Sequence, residues 1–253
     1  YGISLVRLLG AARREVPVYG SGGFTTYSLE HERDQLSRWI HEDGMSRVKI
    51  KIGEAFGTRP DRDLRRMAAA RAAIGDAQLF VDANGAYQRK QAIRLMHAAF
   101  ELDVTWYEEP VSSDDLAGLG IVRDHVLPDV AAGEYGYDLP YFARMVNHVD
   151  CLQIDVTRCG GITGFLRAAA VAAAHGLDVS THCAPQQHLA VAAATPNLRH
   201  MEWFHDHTRI ESMLFDGFVP PARGAVAPDQ LAVGNGLTLR KDDAARYRLP
   251  DPA

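Results

Sequence analysis

The chain has little of what would mark a disulfide scaffold, a nucleic-acid binder or a membrane protein. Only three cysteines occur in 253 residues, Cys151, Cys159 and Cys183. An odd set with no CxxC pair argues against a disulfide framework or a zinc knuckle and fits buried thiols in a reducing compartment. The net charge of −5, with no lysine- or arginine-dense run, leaves no basic field for nucleic acid. No apolar run approaches the roughly 18 residues of a membrane span, and the opening "YGISLVRLLGAARREVP" lacks the charged, apolar, small-residue order of a signal peptide. A cytoplasmic protein with a small-molecule partner is expected. No GxGxxG follows the first strand-like run, so an open doubly wound sheet with a dinucleotide site has no support.

What is present is ordinary globular material, 47% hydrophobic and 23% charged, with room for one large α/β domain. Strand-like runs stand at 16–24, 47–53, 78–85, 104–110, 129–134, 151–156, 177–182 and 199–204. Between them lie helical patterns with chemical punctuation. Ser28 is placed to cap the segment carrying Leu36, Trp39 and Ile40, and Gly44 follows it as a stop. Leu64, Met67 and Ala68 repeat at helical spacing, as do Ile93, Met96 and Phe100. Two more helices are predicted near 112–126 and 138–148, then "GGITGFLRAAAVAAAHG" and "PQQHLAVAAAT". Strict β-then-α alternation requires parallel strands with right-handed crossovers, and eight units in this length predict a closed TIM-type barrel.

The segment "RVKIKIG" fits that barrel. The outer strand face is covered by helices, so Val48, Ile50 and Ile52 pack outward while Lys49 and Lys51 point toward the axis. The later strands end in polar groups: Asp82 and Asn84, Glu108 and Glu109, Glu134, Asp155, His182, and Glu202. Together they form a ring at the carboxyl ends of the strands, where barrel active sites are assembled. Three of these successive strand ends, "VDAN", "YEEP" and "AGE", bring carboxylates that a single hard cation can bind through oxygen. Without a cation such acids repel one another and their pKa values rise. His188, His205 and His207 read as structural or solvated.

The KxK of Lys49 and Lys51, the "DAN" at Asp82, "EEP" at Glu108, "GE" at Glu134, "QIDVTRCGGITG" around Asp155, "STHCAP" around His182 and "HMEWF" around Glu202 resemble the enolase superfamily, and within it the mandelate racemase subgroup. The resemblance implies a (β/α)7β barrel and Mg²⁺-assisted removal of the proton α to a carboxylate, through an enediolate. It implies Asp82, Glu108 and Glu134 as Mg²⁺ ligands, with Asn84 and Glu109 as polar support. Lys51 is then the base on one face, its pKa lowered by Lys49, which also faces the substrate carboxylate. His182, oriented by Asp155, is the acid/base on the other face, and Glu202 is a protonated donor to the carboxylate.

Dehydration of a sugar acid to a 2-keto-3-deoxy acid is the leading expectation. Racemisation or epimerisation of a 2-hydroxy acid is the alternative, and a non-catalytic metal- or ligand-binding barrel the third reading. Members of the superfamily begin with an α+β capping domain, yet this chain opens almost at the first strand. The organisation expected is a lead-in at 1–15, the barrel at 16–204 and a tail at 205–253 that would pack on a cap absent from this chain. A homo-oligomer is the default expectation.

Overall fold

A computed structural model describes residues 1–249. Eight parallel strands, β1 (Val16–Gly22), β2 (Arg47–Lys51), β3 (Gln78–Asp82), β4 (Val104–Glu108), β5 (Asp129–Ala132), β6 (Cys151–Ile154), β7 (Asp178–Thr181) and β8 (Leu198–Phe204), pair in sequence order, and β1 pairs with β8 to close the barrel. Helices lie between successive strands and cover the outside, as a parallel connection demands. The helix Leu29–His41 begins where Ser28 Oγ accepts from the His31 N–H, and it buries Leu36 and Trp39 against the sheet.

The two-residue period of the strands sorts side chains between two environments. Val48, Ile50, Leu79, Val81, Tyr107, Leu152, Ile154, Val179 and Met201 belong to the large apolar shell between strands and helices. Their alternate neighbours Tyr19, Phe80, Trp106, Ala131 and Cys151 form a separate apolar cluster inside the barrel. Lys49 shares that interior and is fully buried, so its face of β2 does not meet water.

The expected strand ends run past the observed ones by up to three residues. The chain leaves the ladder through left-handed conformations at Asn84 (φ 44°), Glu109 (φ 39°) and Gly133 (φ 136°), which stop regular pairing within or just before the polar motifs. At Gly133 the turn demands glycine, because a Cβ there would lie 2.3 Å from the Gln153 carbonyl oxygen.

Beyond β8 come a helix His205–Leu214, a short pairing of Phe215–Asp216 with Thr238–Leu239, and Ala225–Val226 antiparallel to β1. The last four residues of the tail fall outside the described part. Among the described residues no helix is long and apolar enough to cross a membrane, and the three cysteines are free and buried.

Candidate active site

The strand ends bring the expected residues to one mouth. Oxygens of Asp82, Glu108 and Glu134, from three successive strands, lie within 4.8 Å of one another. Lys49 Nζ sits 2.5 Å from Glu108 Oε1, 2.8 Å from Glu202 Oε1 and 3.5 Å from Asp82 Oδ2. Lys51 Nζ is paired with Asp82. At the other end of the trio, His182 Nε2 is 3.3 Å from Glu134 Oε2, while His182 Nδ1 is 2.8 Å from Asp155 Oδ2. An amine thus stands at one end of the three carboxylates and an imidazole at the other.

The electrostatics suit a divalent cation. Burial, and next the charge of Asp82, push the Glu108 carboxyl up to about 8 against the pull of Lys49. Burial and the nearby Glu134 raise Glu109 well above the carboxylate range. Glu134 Oε2 and Glu109 Oε1 are buried without a hydrogen-bond partner. Crowded, desolvated carboxyls with an oxygen left over are the donor set a hard cation satisfies. The residues therefore fit Mg²⁺, and Asp82, Glu108 and Glu134 are the ones that would hold it. Asn84 is exposed and its backbone N–H donates to Asp82 Oδ1 at 2.8 Å, so here the backbone rather than the amide supports the trio.

Asp155 is built to fix the imidazole. Burial alone would raise it, but His182 Nδ1 and the N–H and hydroxyl of Thr157, each 2.7 Å from Oδ1, bring it down to about 2. His182 is lowered by burial but raised further by Asp155 and the surrounding carboxylates, so its pKa ends above the ordinary value. Nδ1–H is thereby committed to Asp155, and Nε2 is left for chemistry.

The structure adds to three expectations. Both Glu202 oxygens accept: Ser21 Oγ donates to one at 2.7 Å, the Cys183 N–H to the other at 2.5 Å, and Lys49 forms an ion pair with the carboxylate. Burial is outweighed by Lys49 and His182, and the carboxyl is held well below its usual range. Burial and then Lys49 lower the Lys51 pKa, as expected of a second ammonium, but its ion pair with Asp82 outweighs both and the net pKa is raised. Lys49 does not face an open pocket, being fully buried and turned to Glu108 and Glu202. Lys51 instead lines a cleft of about 880 Å³ together with Phe24, Thr25, Asn84 and Gln88.

Three further contributors stand at the site without a motif of their own. Ser21 on β1 reaches Glu202, Trp106 Nε1 donates to Glu108 Oε2 at 3.0 Å, and Arg158 Nη1 donates to the Glu134 carbonyl at 3.1 Å. Arg158 lies inside "QIDVTRCGG", where a cation three residues beyond Asp155 was a usable signal; the other two carry none in sequence. Of the remaining histidines, His188 is buried, with Nε2 accepting from the Val156 N–H at 2.8 Å, and His207 Nδ1 accepts from the Ala184 N–H.

Fold and site together define a closed parallel barrel with an oxygen-lined cation cradle between an amine and an imidazole. The family model described as enolase C-terminal domain-like matches residues 31–244, and the chain belongs to that family. It is 33% identical to the L-talarate/galactarate dehydratase of Salmonella typhimurium over 85% of this chain and 55% of that protein, little more than half its length. The crystal structure of a mandelate racemase/muconate lactonizing enzyme-like protein from Rubrobacter xylanophilus superposes with a TM-score of 0.92 at 45% identity, covering 97% of this chain and 68% of that one. The Salmonella dehydratase liganded with Mg and L-lyxarohydroxamate superposes with a TM-score of 0.87 at 30% identity, covering 98% of this chain and 62% of that one.

Proposed function

We propose that the chain is the barrel of a Mg²⁺-dependent enzyme that removes the proton α to the carboxylate of a sugar acid and expels the β-hydroxyl, giving a 2-keto-3-deoxy acid. The observation that carries this reading is the placement of Lys51 and His182 at opposite ends of the carboxylate trio. Mg²⁺ held by Asp82, Glu108 and Glu134 supplies the positive charge that offsets the negative charge developing on the substrate carboxylate. Lys51 gives up its contact with Asp82 to take the α-proton as a neutral amine. His182, protonated on Nε2 and held by Asp155, delivers a proton to the departing hydroxyl, which leaves as water. Lys49 and Glu202 form a buried ion pair beneath them that fixes Lys51's strand end in charge and position.

The same pair of groups supports racemisation or epimerisation when no leaving group sits β to the carboxylate, because the proton then returns on the opposite face. The dehydratase relative favours the first outcome. We infer a cytoplasmic homo-oligomer, and a tail from 205 onward that packs on an amino-terminal capping domain. The test is a panel of aldonic and aldaric acids incubated with protein and Mg²⁺ in D₂O. Formation of a 2-keto-3-deoxy acid is expected. Deuterium at the α-carbon without net product establishes the epimerase reading, and absence of both in the full-length protein overturns both.

A further inference from the structure

The turn that ends β7 does something that neither the carboxylate trio nor the proton transfer needs: it sets a thiol against the imidazole. Consecutive residues of a strand send side chains to opposite faces, so Cys183 belongs on the helix side when His182 faces the mouth. Instead, Cys183 and Ala184 both adopt left-handed backbone, with φ 51° and 34°. Such conformations cost non-glycine residues about 1–3 kcal/mol each. Two hydrogen bonds hold them, from the Cys183 N–H to Glu202 Oε2 at 2.5 Å and from the Ala184 N–H to His207 Nδ1 at 2.8 Å. The result is Cys183 Sγ 3.3 Å from His182 Nε2.

A carboxylate oxygen of Glu202, the Cys183 sulfur and a His182 ring nitrogen all lie within 4.8 Å of one another. At its edge, Glu134 Oε2 is buried, has no hydrogen-bond partner, and lies 3.3 Å from His182 Nε2.

The geometry points to a second cation site, formed by Cys183 Sγ, His182 Nε2 and the Glu202 carboxylate, that takes a thiophilic divalent cation of the Zn²⁺ or Cd²⁺ type rather than Mg²⁺ and leaves Glu134 to the oxygen trio. In a tetrahedral zinc site with Zn–S near 2.3 Å and Zn–N near 2.0–2.1 Å, the sulfur and nitrogen stand about 3.5 Å apart. The observed 3.3 Å between Cys183 Sγ and His182 Nε2 is close to that value. Sulfur and imidazole select borderline and soft cations, whereas Mg²⁺ prefers the oxygen-only trio beside them.

Binding involves no redox change: the Cys183 S–H bond breaks, an S–metal bond forms, and the proton leaves to solvent. Occupancy takes the Nε2 lone pair that His182 needs, so such a cation silences one face of the site and leaves Lys51 untouched. That consequence rests on the function proposed above; the cation site itself does not.

The test is a Cd²⁺ titration of the full protein in saturating Mg²⁺, following the ultraviolet cadmium–thiolate charge-transfer band. A band saturating at one Cd²⁺ per chain is expected, present in Cys151→Ser and Cys159→Ser and absent in both Cys183→Ser and Cys183→Ala. His182→Asn should weaken Cd²⁺ by at least the roughly tenfold that loss of even an outer partner costs. Circular dichroism of each variant confirms that it is folded. No band in the wild type, a band that survives loss of Cys183, or one-for-one displacement of Cd²⁺ by Mg²⁺ would overturn the site. With the band as expected, Zn²⁺ should stop α-proton exchange on the His182 face; exchange persisting there leaves the cation site standing and counts against His182 as the proton carrier.

Discussion

Toward the amino ends of the strands the barrel interior is filled by Tyr19, Phe80 and Trp106 around a buried His200, whereas toward the carboxyl ends it holds Lys49, Asp82, Glu108 and Glu202. Both regions are buried, yet they treat ionisable groups in opposite ways. His200 has ring contacts and one hydroxyl partner, Ser180 Oγ at 2.9 Å. Burial, then the charges of Arg47 and Arg199, drive its pKa well below the ordinary histidine value, so it is neutral. Lys49 is buried just as deeply, but Glu108 and Glu202 more than offset the burial and keep it charged. Desolvation alone discharges a group, and desolvation with partners of opposite sign locks the charge in place.

The largest expected effect breaks the charged region. Lys49→Met leaves Glu202 and Asp82 buried without their shared cation, and without added divalent metal should cost about 3–5 kcal/mol in urea unfolding at neutral pH. A loss below about 1 kcal/mol would mean that the pairing contributes little beyond its own desolvation.

The next effect sharpens the contrast through pH. Because the folded pKa of His200 is depressed, its contribution to stability is fully present above the unfolded value near 6.5 and is lost as pH falls below it. The slope contributed by this one group approaches about 1.4 kcal/mol per pH unit. The difference between wild type and His200→Gln, measured from pH 7.5 down to about pH 5.5 so as to span that value, isolates it from the carboxylates; parallel curves would contradict a neutral His200.

Smallest is the contact that joins the two regions. Trp106→Phe keeps the aromatic layer but removes the indole N–H from Glu108 Oε2, and should cost about 1 kcal/mol while weakening Mg²⁺ binding slightly by calorimetry.

The outer shell and the ring of strand ends were legible because a two-residue period sorts side chains whatever the partners are. Val48 and Ile50 against Lys49 and Lys51 already state which face is which. The charge states were not legible. Glu202 is anionic because donors from three other places in the chain, Ser21, Lys49 and the Cys183 N–H, converge on it. Lys51 is raised rather than lowered because Asp82 comes nearer than the spacing of two lysines could reveal. The left-handed turns at Glu109 and Cys183 also escape a strand pattern, since neither is glycine and each donates its N–H to another strand, to the Ala131 carbonyl and to Glu202 Oε2.

The most direct test of the account follows deuterium entering the α-carbon of each epimer of a sugar acid that the protein accepts, in Lys51→Ala and in His182→Asn with Mg²⁺ present. If an amine and an imidazole flank the cation-bearing carboxylates, each variant loses exchange from one face, and the two lose opposite faces. Exchange from both faces in either variant would contradict the account.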